Sequence, residues 1–484
     1  MHHALLLPEI VAAIIKSDSS EPGYLHTCLL VNRLFSEEAR RLLWYGCGSR
    51  YNSATAGHVT PGIRQLAEIS QHSRQRAQIY ANFVNILNFA EPRESWPYGD
   101  EAQWHHDLAC LQYPQLQEVS FFPSKEAASL NKGDVVVRYA QPSLCHFELF
   151  AGSELSDAFL DELRTNCPKL QHLELSSSGY NTTTPDALLR FLTTFDSLTS
   201  LTMQIEVAQD LWTREAFRVV GQYANLEFLN ISLVHDAWIQ GEETLFPAMK
   251  HLYTSISTSG LGLLSHHMPN LSTLHAKLLH PCNSMEALAS YPRLKDLKVT
   301  LSEVTRFTGA DLLLIAENCP ELQSIEVGHD GPRPSAEGLD DSMMESIARN
   351  IPNIQEFKLH KVDTEALTLE SIKSLGRHCP KLKDLSLSYV SIDWEDGDEL
   401  ISDSIWCLNL ELHSELHTRL WPDDYDEDGD GEAPVSREQI IGMAEHFGRR
   451  FPSMEYFYLS GGGEGEEVFN EIPYGLRLSS HLLR

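Results

Sequence analysis

"NCPKLQHLELSSS", residues 166–178, carries the reading of the fold. Pro168 is followed by Leu170, Leu173 and Leu175. The last two, with one residue between them, have the period of a strand with one buried face. Leu173 and Leu175 then point inward, and His172 and Glu174 point outward. Leu170 enters the core from the turn before the strand. Pro168 marks the junction where a helix stops, because proline cannot extend a helix and biases its predecessor away from helical geometry.

The stretch recurs. "NCPELQSIEV" (318–327) and "HCPKLKDLSL" (378–387) are near copies. "YPQLQEVSFF" (113–122), "QPSLCHFELF" (141–150), "MPNLSTLHAK" (268–277), "YPRLKDLKVT" (291–300), "NIPNIQEFKL" (350–359) and "FPSMEYFYLS" (451–460) keep the frame. "FDSLTSLTMQ" (195–204) and "ANLEFLNISL" (224–233) lack the proline; "FPAMKHLYTS" (246–255) and "IWCLNLEL" (405–412) are degenerate. The frame starts at 114, 142, 168, 196, 224, 247, 269, 292, 320, 352 and 380, in steps of 22 to 32 residues. A leucine-rich repeat of roughly 20–29 residues has this L-x-x-L-x-L pattern.

Segments between frames read as helices. "SDAFLDELRTNC" (156–167) puts Phe159, Leu160 and Leu163 on one stripe, with Ser156 and Asp157 as N-terminal caps. "TGADLLLIAENC" (308–319), "LDDSMMESIARN" (339–350) and "TLESIKSLGRHC" (368–379) repeat the plan. One strand and one helix per unit cannot bury both faces alone, so the units stack. The expected fold class is α/β: a leucine-rich-repeat solenoid, a curved parallel sheet with outer helices. Cys167, Cys319 and Cys379 fall at helix ends and read as small buried hydrophobes, as does Ile351 at the equivalent place.

The totals agree. At 484 residues the chain exceeds one ordinary core, which points to several domains or one repeat array. Apolar residues make up 42% and charged residues 22%, as in folded, water-soluble proteins. A net charge of −31 argues against nucleic acid and against anionic membranes as partners. No apolar run reaches about 18 residues. "MHHALLLPEIVAAII" lacks a basic start and is interrupted by Pro8 and Glu9, so it does not read as a signal peptide. Nine scattered cysteines without a C-x-x-C pair argue against a disulfide framework and a cysteine zinc site. They suit a reducing compartment, so the expected location is cytoplasm or nucleus.

The first fifty residues differ. Leu7, Ile10, Val11, Ile14 and Ile15 form a helical stripe. "LHTCLLVNRLF" (25–35) reads as a second helix with Leu25, Cys28, Leu29 and Val31 apolar. "SEEARRLLWYG" (36–46) reads as a third, capped by Ser36 and ending in Leu42, Leu43 and Trp44. Such a module is marginal alone and calls for a partner or a docked neighbour. The expected organisation is a helical module over 1–50, a connecting segment with an irregular repeat over 51–112, repeats over 113–412, an acidic insertion over 413–440 and a terminal repeat with a tail over 441–484. Within 51–112, "ANFVNILNF" (81–89) is the expected first strand, with Val84, Leu87 and Phe89 in frame.

The repeats resemble the cysteine-containing class of leucine-rich repeats, well over 113–400 and poorly beyond. The N-terminus resembles an F-box through Leu7-Pro8, Glu9, Ile10, Leu29, Val31-Asn32 and Leu43-Trp44. Family members often carry a residue between the Pro and the Glu that is absent here. The order of the two parts is that of the F-box/leucine-rich-repeat family, fungal-like in type. The resemblance implies that Leu7, Pro8, Ile10, Ile14, Leu25, Leu29, Val31, Leu43 and Trp44 meet a Skp-type adaptor of a cullin–RING ubiquitin ligase. The repeats would then capture an unknown protein for proteasomal degradation. The alternative is a recognition scaffold without a ubiquitin link, its N-terminus only capping the repeats.

Other motifs lead nowhere. In "DDYDEDGDGE" (423–432), Asp424, Asp426, Asp428 and Gly429 match a calcium loop, but Val435 stands where the bidentate glutamate belongs. "SGGGEGEE" (460–467) is a linker, not a phosphate cradle. His105-His106 reads as part of a solvated loop. Without G-x-S-x-G, H-E-x-x-H or a P-loop, no enzyme activity, cofactor or metal is expected. Binding falls to the outward strand positions: His172, Glu174, Phe228, Asn230, His251, Tyr253, His275 and Lys298 are the candidate substrate contacts, with Phe228 and Tyr253 as aromatic anchors.

Overall fold

The computed structural model describes residues 7–17, 23–48, 61–89, 104, 107–121, 136–150, 155–177, 182–205, 211–241, 244–279, 285–302, 307–329, 336–360, 362, 367–390, 400–412, 449–453 and 456–461. The chain forms two compact units, Met1–Ser232 with Leu245–Ala248, and Leu233–Thr244 with Met249–Arg484. Both are leucine-rich-repeat stacks of α/β type.

The first unit opens with helices α1 (Pro8–Ser17), α2 (Tyr24–Cys28) and α3 (Arg33–Leu43), with α1 and α2 each packed on α3. The second helix is shorter than its apolar spacing predicts. The third starts earlier, because Asn32, not Ser36, is its cap and accepts a 3.1 Å hydrogen bond from the Phe35 amide. Its parallel sheet runs in sequence order: β1 (Gly46–Gly48), β2 (Ile86–Phe89), β3 (Glu118–Phe121), β4 (His146–Phe150), β5 (His172–Ser177), β6 (Ser200–Ile205) and β7 (Phe228–Val234). The first strand is therefore not the 81–89 segment but Gly46–Gly48, which pairs parallel with β2. Three residues, two of them glycine, carry no readable alternation. Val84, Leu87 and Phe89 are buried as expected.

In the second unit the sheet follows β8 (His251–Ile256), β9 (Thr273–Leu278), β10 (Asp296–Leu301), β12 (Ser324–His329), β14 (Glu356–Leu359), β15 (Asp384–Val390), β16 (Cys407–Leu412) and β17 (Tyr456–Gly461). A separate pair joins β11 (Phe307–Thr308) to β13 (Ala336–Glu337).

The frame lands in register. Leu173 stands between Phe147 and Leu201, and Leu385 between Phe357 and Leu408, all buried. Leu170 and its equivalents Leu322 and Leu382 are fully buried from the turn. Cys167, Cys319 and Cys379 are the C-cap residues of the helices Asp157–Asn166, Gly309–Asn318 and Leu369–His378. All three are buried. Burial pushes their thiols up to about 12, about 11 and about 12. The Cys379 thiol lies 3.6 Å from the Ala348 carbonyl of the preceding repeat, a weak sulfur contact suited to packing.

Helix starts follow the caps: Ser156 accepts from the Phe159 amide, and Thr308 with Asp311 forms a capping box. Helices are also tied to their neighbours. Asp341, at the first position of its helix, accepts from the Thr368 amide at 2.9 Å and from the hydroxyls of Thr368 and Ser371 at 2.7 and 2.5 Å. Asp157 holds Thr184 in the same way, at 2.7 and 2.9 Å. One carboxylate thus fixes the cap of the next helix, a link that single-repeat patterning does not reveal. Among the described residues no helix is long and apolar enough to cross a membrane.

Candidate functional site

Three surfaces present chemistry. The first is the N-terminal module. Val11 and Ile15 of α1 are buried, whereas Leu7 (52% exposed), Ile10 (41%) and Ile14 (37%) face outward at positions i, i+3 and i+7. The turn after α2 adds Leu30 (86%) and Val31 (55%). Pro8 is exposed and Leu29 half-buried. Leu25, Leu43 and Trp44 correct the expectation of direct adaptor contact: they are buried within the chain itself. Trp44 stacks on Tyr80 at 4.7 Å, with a 15° interplanar angle. Their apolar character maintains the module, and periodicity cannot tell an inward from an outward apolar face when both sides of a helix carry one. Leu30, which the sequence reading passed over, is the most exposed of the group.

The second surface is the outward row of the first unit. Strand register aligns His146, His172, Ser200 and Phe228, and in the next row Ser120, Glu148, Glu174, Thr202 and Asn230. His146 and His172 stack with ring centroids 3.9 Å apart. The His146 Nε2 lies 2.8 Å from Glu148 Oε1, and His172 Nε2 lies 3.9 Å from the same oxygen. Burial, then the neighbouring His146, pushes the His172 imidazole down to about 4 against the pull of Glu148. Glu148, Ser200 and Thr202 correct the simple alternation rule: although outward-facing, they are buried. Strands about 4.8 Å apart let long neighbours cover short ones. Phe228 and Asn230 are half-buried, and the Asn230 side chain accepts from Gln204 at 2.8 Å.

The third surface is the outward row of the second unit. Tyr253, His275, Lys298, Glu326, Lys358 and Ser386 share one row; His251, Thr273, Asp296, Ser324, Glu356 and Asp384 share the other. His275 Nε2 is 3.2 Å from Asp296, Lys298 is 2.7 Å from Glu326, and Lys358 is 2.6 Å from Asp384 and 3.3 Å from Glu356. The hydrogen bond from His275 holds the Asp296 carboxyl below its ordinary range. Burial works against the Lys358 ammonium, but its two carboxylates outweigh it and raise its pKa. A depression of about 360 Å³ opens over His275, Asp296, Lys298, Ser324, Glu326 and Glu356. The Tyr253 ring packs on His275 at 4.2 Å, and His251 is half-buried. Tyr253 and His275 are thus adjacent parts of one surface, whereas Phe228 belongs to the other unit.

His105-His106, the run 423–432 and most of 460–467 lie outside the described residues.

No family model matches the chain, and no curated protein does. Solved structures of similar build include the Rad7–Elc1 complex of yeast, with 13% identity, coverage of 84% of this chain and 97% of that one, and a TM-score of 0.46. A leucine-rich-repeat protein of Leptospira interrogans shares 13% identity over 80% of this chain and 86% of its own, with a TM-score of 0.39. These likenesses are too distant to add to the repeat fold seen directly.

Proposed function

We propose that this chain is a non-enzymatic substrate-recognition subunit of a cullin–RING, SCF-type ubiquitin ligase, working in the cytoplasm or nucleus. It would bind a Skp-type adaptor through α1 and the turn after α2, and a target protein through the outward rows of its repeats. The observation that carries the reading is the exposed apolar stripe of Leu7, Ile10 and Ile14, with Leu30 and Val31 exposed in the turn after α2. Exposed apolar side chains grouped on one element mark a protein interface, and these lie on the module whose residues resemble an F-box. The repeats support the second half: they present polar and aromatic side chains in fixed rows.

The test is co-purification of the full chain with a Skp-type adaptor. Wild type forms a complex, and the Leu7→Asp, Pro8→Ala double variant loses it. Full binding by the double variant would remove this interface. Failure of the wild type to bind would leave the scaffold reading in its place.

A further inference from the structure

The strand register brings together three metal-binding side chains that are far apart in sequence. His146 and Glu148 stand two apart on β4, so both project from the same side. His172 is the cross-strand partner of His146 on β5. One ligand atom from each lies within 4.8 Å of the other two. We propose that this outward surface of the first unit binds one divalent transition-metal ion of the zinc class, through His146, Glu148 and His172.

The distances suit that ion. Zinc bonds to imidazole nitrogen and carboxylate oxygen at about 2.0 Å, which places neighbouring ligand atoms roughly 3.3 Å apart in a tetrahedral site. The observed 2.8 and 3.9 Å separations to Glu148 Oε1 bracket that value. The rings, stacked at 3.9 Å with a 16° tilt, turn both Nε2 atoms toward the same carboxylate. Closure needs only side-chain adjustment, because the backbones are held by the ladder from His146↔His172 to Phe150↔Ser176.

The donor set selects the metal. Two imidazoles with one carboxylate suit zinc and its neighbours, whereas magnesium and calcium prefer all-oxygen sites. Three protein ligands leave a fourth position for water or a side chain of a bound protein. Glu148 is only 8% exposed, so its carboxyl is shielded from water, and the chain's net charge of −31 favours cations over anions near its surface. Ser120, in register with Glu148 on β3, has a fully buried hydroxyl with no hydrogen-bond partner, which extends the polar row beside the trio. Glu174, in register with Glu148 on the other side, lies outside the trio. The site does not depend on what the N-terminal module binds.

The test uses the full chain, stripped with a chelator and titrated with zinc chloride alone, with magnesium chloride as comparison. Cobalt(II) then serves as a spectroscopic probe. One zinc equivalent is expected, with nitrogen–oxygen cobalt bands and no thiolate charge-transfer band. His172→Asn and Glu148→Gln should each weaken zinc binding by more than about tenfold, and His267→Asn, elsewhere on the chain, should not. Unchanged affinity in both site variants, a thiolate band, or no preference for zinc over magnesium would overturn the proposal. If the variants unfold, X-ray absorption of the zinc-loaded wild type decides: two imidazoles per zinc support the site, and one or none removes it.

Discussion

Two ten-residue helices make an instructive pair. Leu369–His378, in the repeats, is apolar on one side: Leu369, Ile372 and Leu375 are buried, and its polar side carries Glu370 and Lys373. Helix α1 is apolar on two sides: Val11 and Ile15 are buried, while Leu7, Ile10 and Ile14 flank it exposed. A repeat helix has a neighbour on either side and needs one apolar stripe. Helix α1 carries more apolar surface than the described residues cover. Within one protein, the same local signal serves self-assembly in one place and, in the function proposed above, adaptor binding in the other.

Substitutions separate the two roles. The largest effect is expected in the repeats. Ile372→Ala removes a fully buried side chain and should cost about 3 kcal/mol, read as a lower chemical-unfolding midpoint with adaptor binding intact. Ile14→Asp should do the reverse, weakening adaptor binding by about thirtyfold, roughly 2 kcal/mol, in a calorimetric titration with no fall in melting temperature. If Ile14→Asp unfolds the chain instead, the exposed face is structural and the contrast collapses.

Smaller effects sharpen the repeat side. Asp341→Ala breaks three hydrogen bonds to the next helix cap and should cost about 2 kcal/mol. Amide exchange should speed up first around Thr368–Ser371. Equal acceleration everywhere would show that the link is not local. The smallest is chemical. Thiols pushed up to about 12 at Cys167 and Cys379 and about 11 at Cys319 stay protonated at pH 8, since a raised thiol pKa leaves little thiolate below it. In the folded chain these three should resist iodoacetamide at pH 8, with labelling read by mass spectrometry. Rapid labelling of any one would mean that its repeat opens.

Much of this was readable in the sequence, for a physical reason. Leu170, Leu173, Leu175 and their counterparts obey strand and turn periodicity within ten residues, and Ser156 and Thr308 cap through bonds three residues long. Local rules act over such spans. They missed Gly46–Gly48, too short for a pattern, and misplaced the third helix cap at Ser36, because Asn32 competes successfully from four residues earlier. They also treated Leu25, Leu43 and Trp44 as surface when they are core.

By itself, then, the sequence determined the repeat unit, its strand faces and the fate of its cysteines, since each depends on residues close along the chain. Only the tertiary structure decided which outward residues meet. His146 and Glu148 are two residues apart, but His172 joins them only because one repeat of loop and helix returns the chain in register on the adjacent strand. Likewise, only packing of α1 and α2 on α3 divided the N-terminal apolar residues into a covered set and an exposed one. Both outcomes depend on how one element lies against another, which periodicity along a single segment does not encode.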